Sequence, residues 1–461
     1  MNKNQAELGS QSVGKLLLKY SVPAIIGMMV NALYNVVDRI FIGNIPHVGS
    51  MAIAGLGVTM PVLTIALAFG MLVGVGSATN VSIKLGQGKK EEAQNIIGTG
   101  MLLSVILGIS LTIVGLLFSE QILKLFGASD ATLYYAKSYT DIIIVGTTFS
   151  IIGMFFNNTI RGDGNPKLAA TIMVIGCVTN IILDAVFIFI FNMGIQGAAI
   201  ATVISQLVTA VIGLGYYISG KSNLKFDKSS LKLDKQITLK ILSIGAAPFA
   251  MQIAASLVQV IANNVLKEYG TDLAIGAMAT ISSVSLMCLM PIFGINQGAQ
   301  PIIGFNYGAK QEERAQKAFK LSAIVATIIL VIAFIAVQVF PEAIIGVFNK
   351  DPQFMDISVK GMRIYLLMLP IVGISITGSN YIQSIGEAKT AMFLSLLRQV
   401  ILLVPFIIIL PRTFGLGLDG VWIAQPVSDV LTTAVTIFIL VKSMKVKEKV
   451  EVEEELLKEA N

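Results

Sequence analysis

Three aspartates, Asp38, Asp184 and Asp429, lie inside apolar segments that are long enough to cross a membrane. An acidic residue at the centre of such a segment costs about 2.5 to 3.5 kcal/mol on insertion scales, so each is a candidate for a function. Asp38 and Asp184 lie about five and about seven residues from the same predicted end of their segments, and at ~1.5 Å per residue their depths nearly coincide. Two carboxylates at one depth could share a proton or coordinate a small cation.

The first apolar segment carries a polar face that leads to Asp38. Asn31, Tyr34, Asn35 and Asp38 recur at positions i, i+3, i+4 and i+7, so a helix places all four on one side. We therefore expect this side to avoid lipid and to line a polar site.

Two further polar residues are predicted to complete that site. Asn180 stands one helical turn before Asp184, and Thr202 in the next segment can reach a similar depth. Oxygen atoms from these residues suit hydronium or sodium, with Asp38, Asn180 and Asp184 as the ligands of a Na⁺. The alternative is a buried hydrogen-bond network that only joins helices.

The second half of the chain lacks the acid pair. By alignment of the halves, Asn263 stands in place of Asp38 and Phe406 in place of Asp184, so ion coupling is predicted for the first half only. Asp429 is expected to have a partner within the bundle, with a second coupling site as the alternative. The predicted substrate cavity consists of polar residues and one flexible methionine: Asn31, Tyr34, Met28, Gln252, Ser256, Gln259, Asn263 and Asp429.

The elements that position these residues are predicted to be membrane-spanning helices. The chain has 461 residues, of which 55% are hydrophobic and 13% charged, whereas about a quarter of the residues of a soluble protein are charged. Twelve apolar segments follow one another between Leu16 and Val441. The sequence therefore predicts an all-α integral membrane protein with twelve transmembrane helices.

The two halves of the chain are similar in sequence. The segment 162–167 resembles 384–389, and Leu85-Gly86-Gln87-Gly88 resembles Phe305-Asn306-Tyr307-Gly308, where the glycines are expected to supply special backbone angles in turns. Six helices per half predict two parallel-repeat six-helix lobes. The predicted domains are an N-terminal lobe with the cation-coupling site, a cytoplasmic linker loop, a C-terminal lobe and a charged cytoplasmic tail, at 1–220, 221–236, 237–443 and 444–461.

The charge distribution predicts how the chain sits in the membrane. Most of the 33 lysines and arginines fall in the termini and alternate loops, so by the positive-inside rule we expect both termini in the cytoplasm. Residues 1–15 contain no apolar core of a cleavable signal. A multi-pass protein of the cell membrane, surrounded by the lipid bilayer, is the expected localisation.

Several other functions are excluded on sequence grounds. There is no Gly-x-x-x-x-Gly-Lys-Ser/Thr phosphate loop, and one histidine cannot supply a histidine-based metal centre, so neither ATP-driven pumping nor an enzyme is expected. The net charge of +6 is spread over loops without the pattern of a nucleic-acid site. We expect no cofactor other than H⁺ or Na⁺ as coupling ion, and no obligate protein partner.

These features together resemble a known family. The twelve segments, the stretch 23–38, the loop 85–89 and Arg161-Gly162-Asp163-Gly164 with Pro166-Lys167 are similar to multidrug and toxic compound extrusion (MATE) transporters, and the acids with Asn180 resemble the prokaryotic DinF/MepA-like branch. The resemblance implies an antiporter that exports cationic or amphiphilic compounds in exchange for protons or sodium. Carried over by position, Asp38, Asn180, Asp184 and Thr202 form the cation site.

A mechanism follows from the acids. With both carboxylates charged the cavity attracts a lipophilic cation, and an entering ion neutralises them and weakens its binding. Four prolines, Pro23, Pro61, Pro248 and Pro291, are expected to interrupt their helices and to act as hinges, or alternatively as static kinks.

Two other functions remain as alternatives at this stage. A flippase for a lipid-linked saccharide or another amphiphile would need basic residues inside the cavity, for which Arg39 and Arg398 are the candidates. A passive channel or membrane scaffold would need no ion coupling.

Overall fold

A computed structural model describes residues 3–43, 45, 49–126, 128, 130–220, 222, 224, 230–269, 272–413 and 415–459. Within these ranges the side chains at 3–6, 35, 39, 49–54, 130, 131, 272 and 445–459 lie outside the description. The secondary structure of the described part is helical throughout, with turns between the helices and no strand. The all-α prediction is therefore confirmed.

Sixteen α-helices make up the described chain. In order, they are α1 (Lys3–Ser10), α2 (Val13–Gly43), α3 (Gly49–Gly86), α4 (Lys90–Leu125), α5 (Asp130–Gly162), α6 (Pro166–Ala185), α7 (Gly194–Ile218), α8 (Lys235–Tyr269), α9 (Asp272–Gly308), α10 (Glu312–Val339), α11 (Pro341–Gly346), α12 (Pro352–Tyr365), α13 (Leu369–Ser384), α14 (Ala388–Leu396), α15 (Val404–Ile409) and α16 (Leu418–Glu459). A π-helical segment, Val186–Ile190, extends α6, and another, Leu397–Leu403, joins α14 to α15.

The helices match the predicted number of membrane spans. In the described part, eleven helical stretches are long and apolar enough to cross a membrane, and α12 with α13 forms a twelfth that is bent by 52°. The bend coincides with the short break between Tyr365 and Leu369. The described part therefore has eleven candidate spans, and twelve when the bent pair is counted as one broken span.

The two similar motifs of the repeat adopt the same backbone conformation. Gly164 has φ +96° and Gly386 has φ +84°, values that favour glycine over other residues. After Gly164, the side chain of Asn165 caps α6 by accepting a hydrogen bond from the Leu168 amide at 3.2 Å, and Pro166 occupies the first turn. The cap and the proline explain why the fifth span of the first half begins where it does.

The glycines of the other repeated motif have a different role from the predicted one. Gly88 does have a positive φ of +76°, but Gly86 and Gly308 are helical, and the residue with positive φ in the second turn is Lys310. A Cβ on Gly86 would lie 2.0 Å from the Phe305 carbonyl oxygen. The prediction of special angles is thus wrong for Gly86 and Gly308, which instead let α3 and α9 touch.

A second pair of glycines brings α3 against α8. A Cβ on Gly76 would lie 2.1 Å from the Ile241 carbonyl oxygen, and one on Gly245 would lie 1.8 Å from that of Leu72. Since any side chain would collide with backbone atoms here, α3 contacts both α8 and α9 at distances that only glycine permits.

The four predicted hinge prolines do not interrupt their helices. Pro23, Pro61 and Pro248 lie inside α2, α3 and α8, and Pro291 lies inside α9, all of which continue on both sides. The helices therefore continue through these prolines, although each proline lacks the N–H that would donate to the residue four positions before it. Their function as hinges stays a prediction.

The chain forms two compact units. The first comprises 1–256, 293–318 and 383–392, and the second comprises 257–292, 319–382 and 393–461. Of the predicted linker 221–236, the segment 225–229 lies outside the described residues, and of the predicted tail 444–461 the helical backbone is described as far as Glu459.

The close glycine contacts predict which substitutions destabilise the fold. Gly245→Ala should destabilise the protein by about 1–3 kcal/mol or more, because the added methyl group forces α3 and α8 apart. Gly215→Ala in α7 is the matched control, since no atom lies within 4 Å of its Cβ position. The measurement is the temperature at which the detergent-solubilised protein loses its monodisperse size-exclusion peak. Equal stability of Gly245→Ala and the wild type would contradict the close contact.

Candidate functional site

The packing of α2 against α6 brings Asp38 and Asp184 together. Their carboxyl groups are hydrogen-bonding neighbours, and Asp184 is fully buried while Asp38 is half-buried. An ionised carboxylate can only accept hydrogen bonds, so two carboxyl groups at this separation could form a hydrogen bond only if one of them were protonated. The predicted coincidence of depth thus corresponds to direct contact.

Asn180 connects the acid pair to α7. The amide orientation that satisfies both neighbours places Nδ2 at 3.0 Å from Asp184 Oδ2 and lets Oδ1 accept from the Thr202 hydroxyl at 3.3 Å. The Thr202 hydroxyl also reaches the Ala198 carbonyl at 3.0 Å, one turn earlier on α7. The structure therefore assembles Asp38, Asn180, Asp184 and Thr202 in one group, in which Asp38 is half-buried and the other three are buried.

Tyr139 on α5 belongs to this group and was not predicted from the sequence. It is 3% exposed, its hydroxyl is a hydrogen-bonding neighbour of Thr202, and both acids lie close to it. The only signal was its depth, since it stands about seven residues into its predicted span, as Asp184 stands about seven from the end of its own. Tyr139 adds a hydroxyl to the site from a fourth helix.

An apolar cluster closes the site at one end. It consists of Ile42, Ile45, Leu56, Tyr139, Ile143, Ile188, Ile195, Ala198 and Ala199. Ile42 and Ile188 lie one turn beyond Asp38 and Asp184, so the cluster covers the carboxyl pair on that side. Its apolar packing separates the acids from that end of the bundle and lowers the local dielectric.

The remaining predicted residues of α2 lie along the approach to Asp38. Tyr34 is close to both acids, and Asn31 and Met28 are half-buried, with Met28 Sδ accepting a hydrogen bond of 3.4 Å from Gln297 on α9. The side chain of Asn35 lies outside the described residues. Tyr34 therefore joins the acid group, whereas Asn31 and Met28 extend from it along the helix.

The polar stripe of α8 is divided between the two compact units. Gln252 and Ser256 belong to the first unit and are half-buried; in the second, the Gln259 amide donates to Asn263 Oδ1 at 3.0 Å. The acid pair lies in the first unit, and none of the contacts that the structure gives for these four residues reaches it.

Asp429 belongs to the second compact unit and has a basic partner there. Arg398 Nε donates to Asp429 Oδ1 at 2.9 Å, and the Gln425 amide nitrogen lies 3.1 Å from each oxygen of the carboxylate. Arg398, one of the two basic residues that the flippase alternative requires, is therefore paired with an acid. The side chain of the other, Arg39, lies outside the described residues.

The acid group suits the binding of a proton or one small cation. It offers two carboxyl groups, one amide and the three hydroxyls of Tyr34, Tyr139 and Thr202, which are hard oxygen ligands or proton carriers. Among the described residues no cluster of three or more His, Cys, Asp or Glu could hold a metal ion. The arrangement can store a positive charge inside the bundle and release it.

Comparison with known proteins places the chain among transporters. The MatE family profile matches residues 23–186 and 248–409, which confirms the repeat. Relatives include the multidrug export protein MepA of Staphylococcus haemolyticus, 25% identical over 88% of both chains, and that of Staphylococcus aureus, 26% identical over 88% of both. An outward-facing MATE family transporter of the MOP superfamily has the same fold, with a TM-score of 0.90, 23% identity and coverage of 97% of this chain and 99% of the other. Since the profile covers more than half of the sequence and does so twice, this multi-pass membrane protein belongs to the MatE family.

Proposed function

We propose that the protein is a secondary active antiporter of the cell membrane that exports cationic or amphiphilic drugs and toxic compounds in exchange for protons. The observation that carries this proposal is the buried pair of Asp38 and Asp184 with Asn180 between Asp184 and Thr202. The names of the relatives, multidrug export proteins, support the drug-export part. The charge distribution supports a cytoplasmic location of both termini.

Two details of the site favour protons over sodium as the coupling ion. The Asp38 and Asp184 carboxyl groups lie close enough to share one proton. In the amide orientation that satisfies both neighbours, Asn180 directs its nitrogen to Asp184 and its oxygen to Thr202, whereas a sodium ion would need that oxygen beside the acids. A proton fits this donor arrangement without rearrangement.

Exchange then follows from electrostatics. The pair with its protons removed carries negative charge in a low-dielectric bundle, which attracts a lipophilic cation. Proton uptake removes that charge and weakens the hold on the cation. The drug and the proton therefore bind alternately at the same negatively charged pair. Because of this exchange, the proton gradient drives export of the drug.

Neutralising either acid should abolish coupled transport. In liposomes that contain the purified protein, uptake of the fluorescent cation rhodamine 6G driven by a pH gradient should fall to the level of empty liposomes in Asp38→Asn and Asp184→Asn. Glu120→Gln is the matched control, because Glu120 is an exposed acid that pairs only with Lys124 one turn away. Its transport should equal that of the wild type.

The same assay with a sodium gradient separates the two ions. Transport that requires a sodium gradient and does not respond to a pH gradient would identify sodium, instead of the proton, as the coupling ion. Flux without any gradient, or coupling that survives both acid substitutions, would contradict antiport and support the channel alternative.

Drug and proton should compete for the site. The affinity of the purified wild type for the fluorescent cation should fall as the buffer changes from mildly alkaline to mildly acidic, because protonation removes the charge that holds the cation. In Asp184→Asn this dependence should be flatter. Fluorescence anisotropy of the bound dye measures it, and an affinity that is the same at every pH would refute competition.

Removing one hydroxyl from the site should have a smaller effect. Tyr139→Phe loses the neighbour of Thr202, a neutral hydrogen bond worth about 0.5–1.5 kcal/mol, so transport should slow by several-fold while the protein stays folded. Tyr134→Phe is the control, since Tyr134 is 70% exposed. The measurements are the initial rate under a pH gradient and the thermal stability; an unchanged rate would place Tyr139 outside the site.

A further inference from the structure

The third span of each half ends in the same structural feature. The backbone of α4 departs from helical geometry at Phe118, with φ −118° and ψ 15°, and α10 is followed by a break at Phe340, with φ −119° and ψ 40°. A short helical segment follows each break. We name residues 118–126 the first hook and residues 340–348 the second hook; they belong to the first and the second compact unit, respectively.

The two hooks occupy equivalent positions in the repeat. Both have the sequence pattern Phe-x-Glu-x-Ile-(Leu/Ile)-x-(Leu/Val)-Phe. Their spacing, 340 minus 118, is 222 residues, which is also the spacing of 384 minus 162 between the two motifs that open the fifth spans. The break and the segment after it are therefore a property of the repeated unit.

Each hook exposes apolar side chains at the same positions. Leu125 in the first hook is 81% exposed and Val347 in the second is 82% exposed, the two highest values among the large apolar side chains of the described residues. Phe118 and Phe340, at the start of the hooks, are also exposed. Because the two halves agree, this exposure is a feature of the fold and not a local accident of one loop.

The opposite side of each hook is packed against its own compact unit. Leu123 and Ile345 are completely buried. Ser119 is buried and accepts a hydrogen bond from Lys137 on α5 at 2.8 Å, and Pro341 is buried at the equivalent position of the second hook. The hooks are therefore held in place by the fold, and one side of each is left for a partner.

Charged residues lie beside the exposed apolar side chains. Glu120 and Lys124 form an exposed ion pair at 2.7 Å in the first hook, and Glu342 is exposed in the first turn of α11 in the second. A short helical segment with an apolar side and a charged side is typical of segments that lie in the plane of the membrane interface.

The lengths of the two spans place the hooks at the edge of the hydrocarbon. α10 has 28 residues before its break, and α4, which begins at Lys90, has the same number before Phe118. At ~1.5 Å per residue such a helix is about 42 Å long, which exceeds the ~30 Å of the hydrocarbon core. Leu117 and Val339, directly before the breaks, are exposed on the outside of their spans. The hooks thus follow a lipid-facing surface at the level of the headgroups.

We propose that the two hooks are interfacial anchors whose exposed apolar side chains insert into the lipid at the headgroup–acyl boundary. Contact of Leu125 and Val347 with water is unfavourable, and contact with lipid removes that cost. An odd number of spans precedes each hook, so the charge distribution that supports cytoplasmic termini places each hook in the outer leaflet. The partner is the bilayer, and the inference depends neither on the exported compound nor on the coupling ion.

Tryptophans placed on the hooks measure their depth. Leu125→Trp and Val347→Trp are each reconstituted into liposomes of phosphatidylcholine that is brominated in the upper or in the lower half of its acyl chains, and fluorescence quenching is measured. The wild type gives the background, because its single tryptophan, Trp422, is buried. Each variant is first required to show the monodisperse size-exclusion peak of the wild type, which is expected because both substituted positions are exposed.

The chain offers reference and control positions in both halves. Ile106→Trp and Ile328→Trp are the references, since both positions are exposed near the middle of α4 and α10. The upper bromines should quench the hook tryptophans roughly twofold more than the lower ones, because interfacial helices insert only about 5–10 Å, and the references should show the opposite order. Lys124→Trp and Glu342→Trp, on the charged side, should be quenched less by either lipid and more by acrylamide in the water.

Three results would overturn the proposal. Quenching of the hook tryptophans with the depth profile of the references would make the hooks ordinary parts of the spans. Quenching by acrylamide alone would place their apolar side chains in water. Quenching by neither lipid nor acrylamide would show that another protein chain covers them. No gradient or transported compound is present, so this test and the antiport assay fail independently.

Discussion

Polar groups inside a membrane bundle must be satisfied by other helices, because the surrounding lipid offers no hydrogen bonds. Asn180 meets this requirement for Asp184 and Thr202 at once, and Gln425 and Arg398 meet it for Asp429. The contacts of Asn180 with Thr202 and of Arg398 with Asp429 each join two separate helical segments and fix how these are rotated about their axes. The packing of α2, α6 and α7 in the first unit is thus tied to the same side chains that form the acid site.

The sequence predicted best those contacts that depend only on how deep each residue lies along its helix. A helix has a constant rise, so positions along separate segments can be compared, and Asp38, Asn180, Asp184 and Thr202 do meet. Tyr139 was not predicted as a site residue, because a tyrosine near the end of a span is also typical of the membrane interface. The partner of Asp429 could not be identified, since the pairing of Arg398 with Asp429 depends on how α14 to α16 pack rather than on any periodicity.

Glycine illustrates a second limit of prediction. The sequence cannot distinguish a glycine that supplies a positive φ, such as Gly164, from one that permits backbone contact, such as Gly308. The motif at 305–308 resembles that at 85–88 in sequence. The residue with a positive φ is Gly88 in the first turn, however, and Lys310 in the second. Local similarity between the halves therefore does not guarantee the same local conformation.

The fifth span of each half departs from regular helix near a charged residue. In the first half a π-segment begins at Val186, directly after Asp184 and Ala185, and in the second half the π-segment Leu397–Leu403 contains Arg398. A π-turn rotates the following residues relative to a regular helix. Each half can thus direct its charged side chain inward while the rest of the span keeps its apolar face outward.

The glycine contacts of α3 also determine which parts of the helices packed against it resist bending. Between Gly76 and Ile241, or between Gly86 and Phe305, there is no side chain whose rotamer could absorb a displacement. Interiors packed this closely transmit strain rather than dissipating it. Residues 72–86 of α3, the first turns of α8 and the last turns of α9 therefore form a stiff block, in which α8 and α9 resist bending more than they do beyond these contacts.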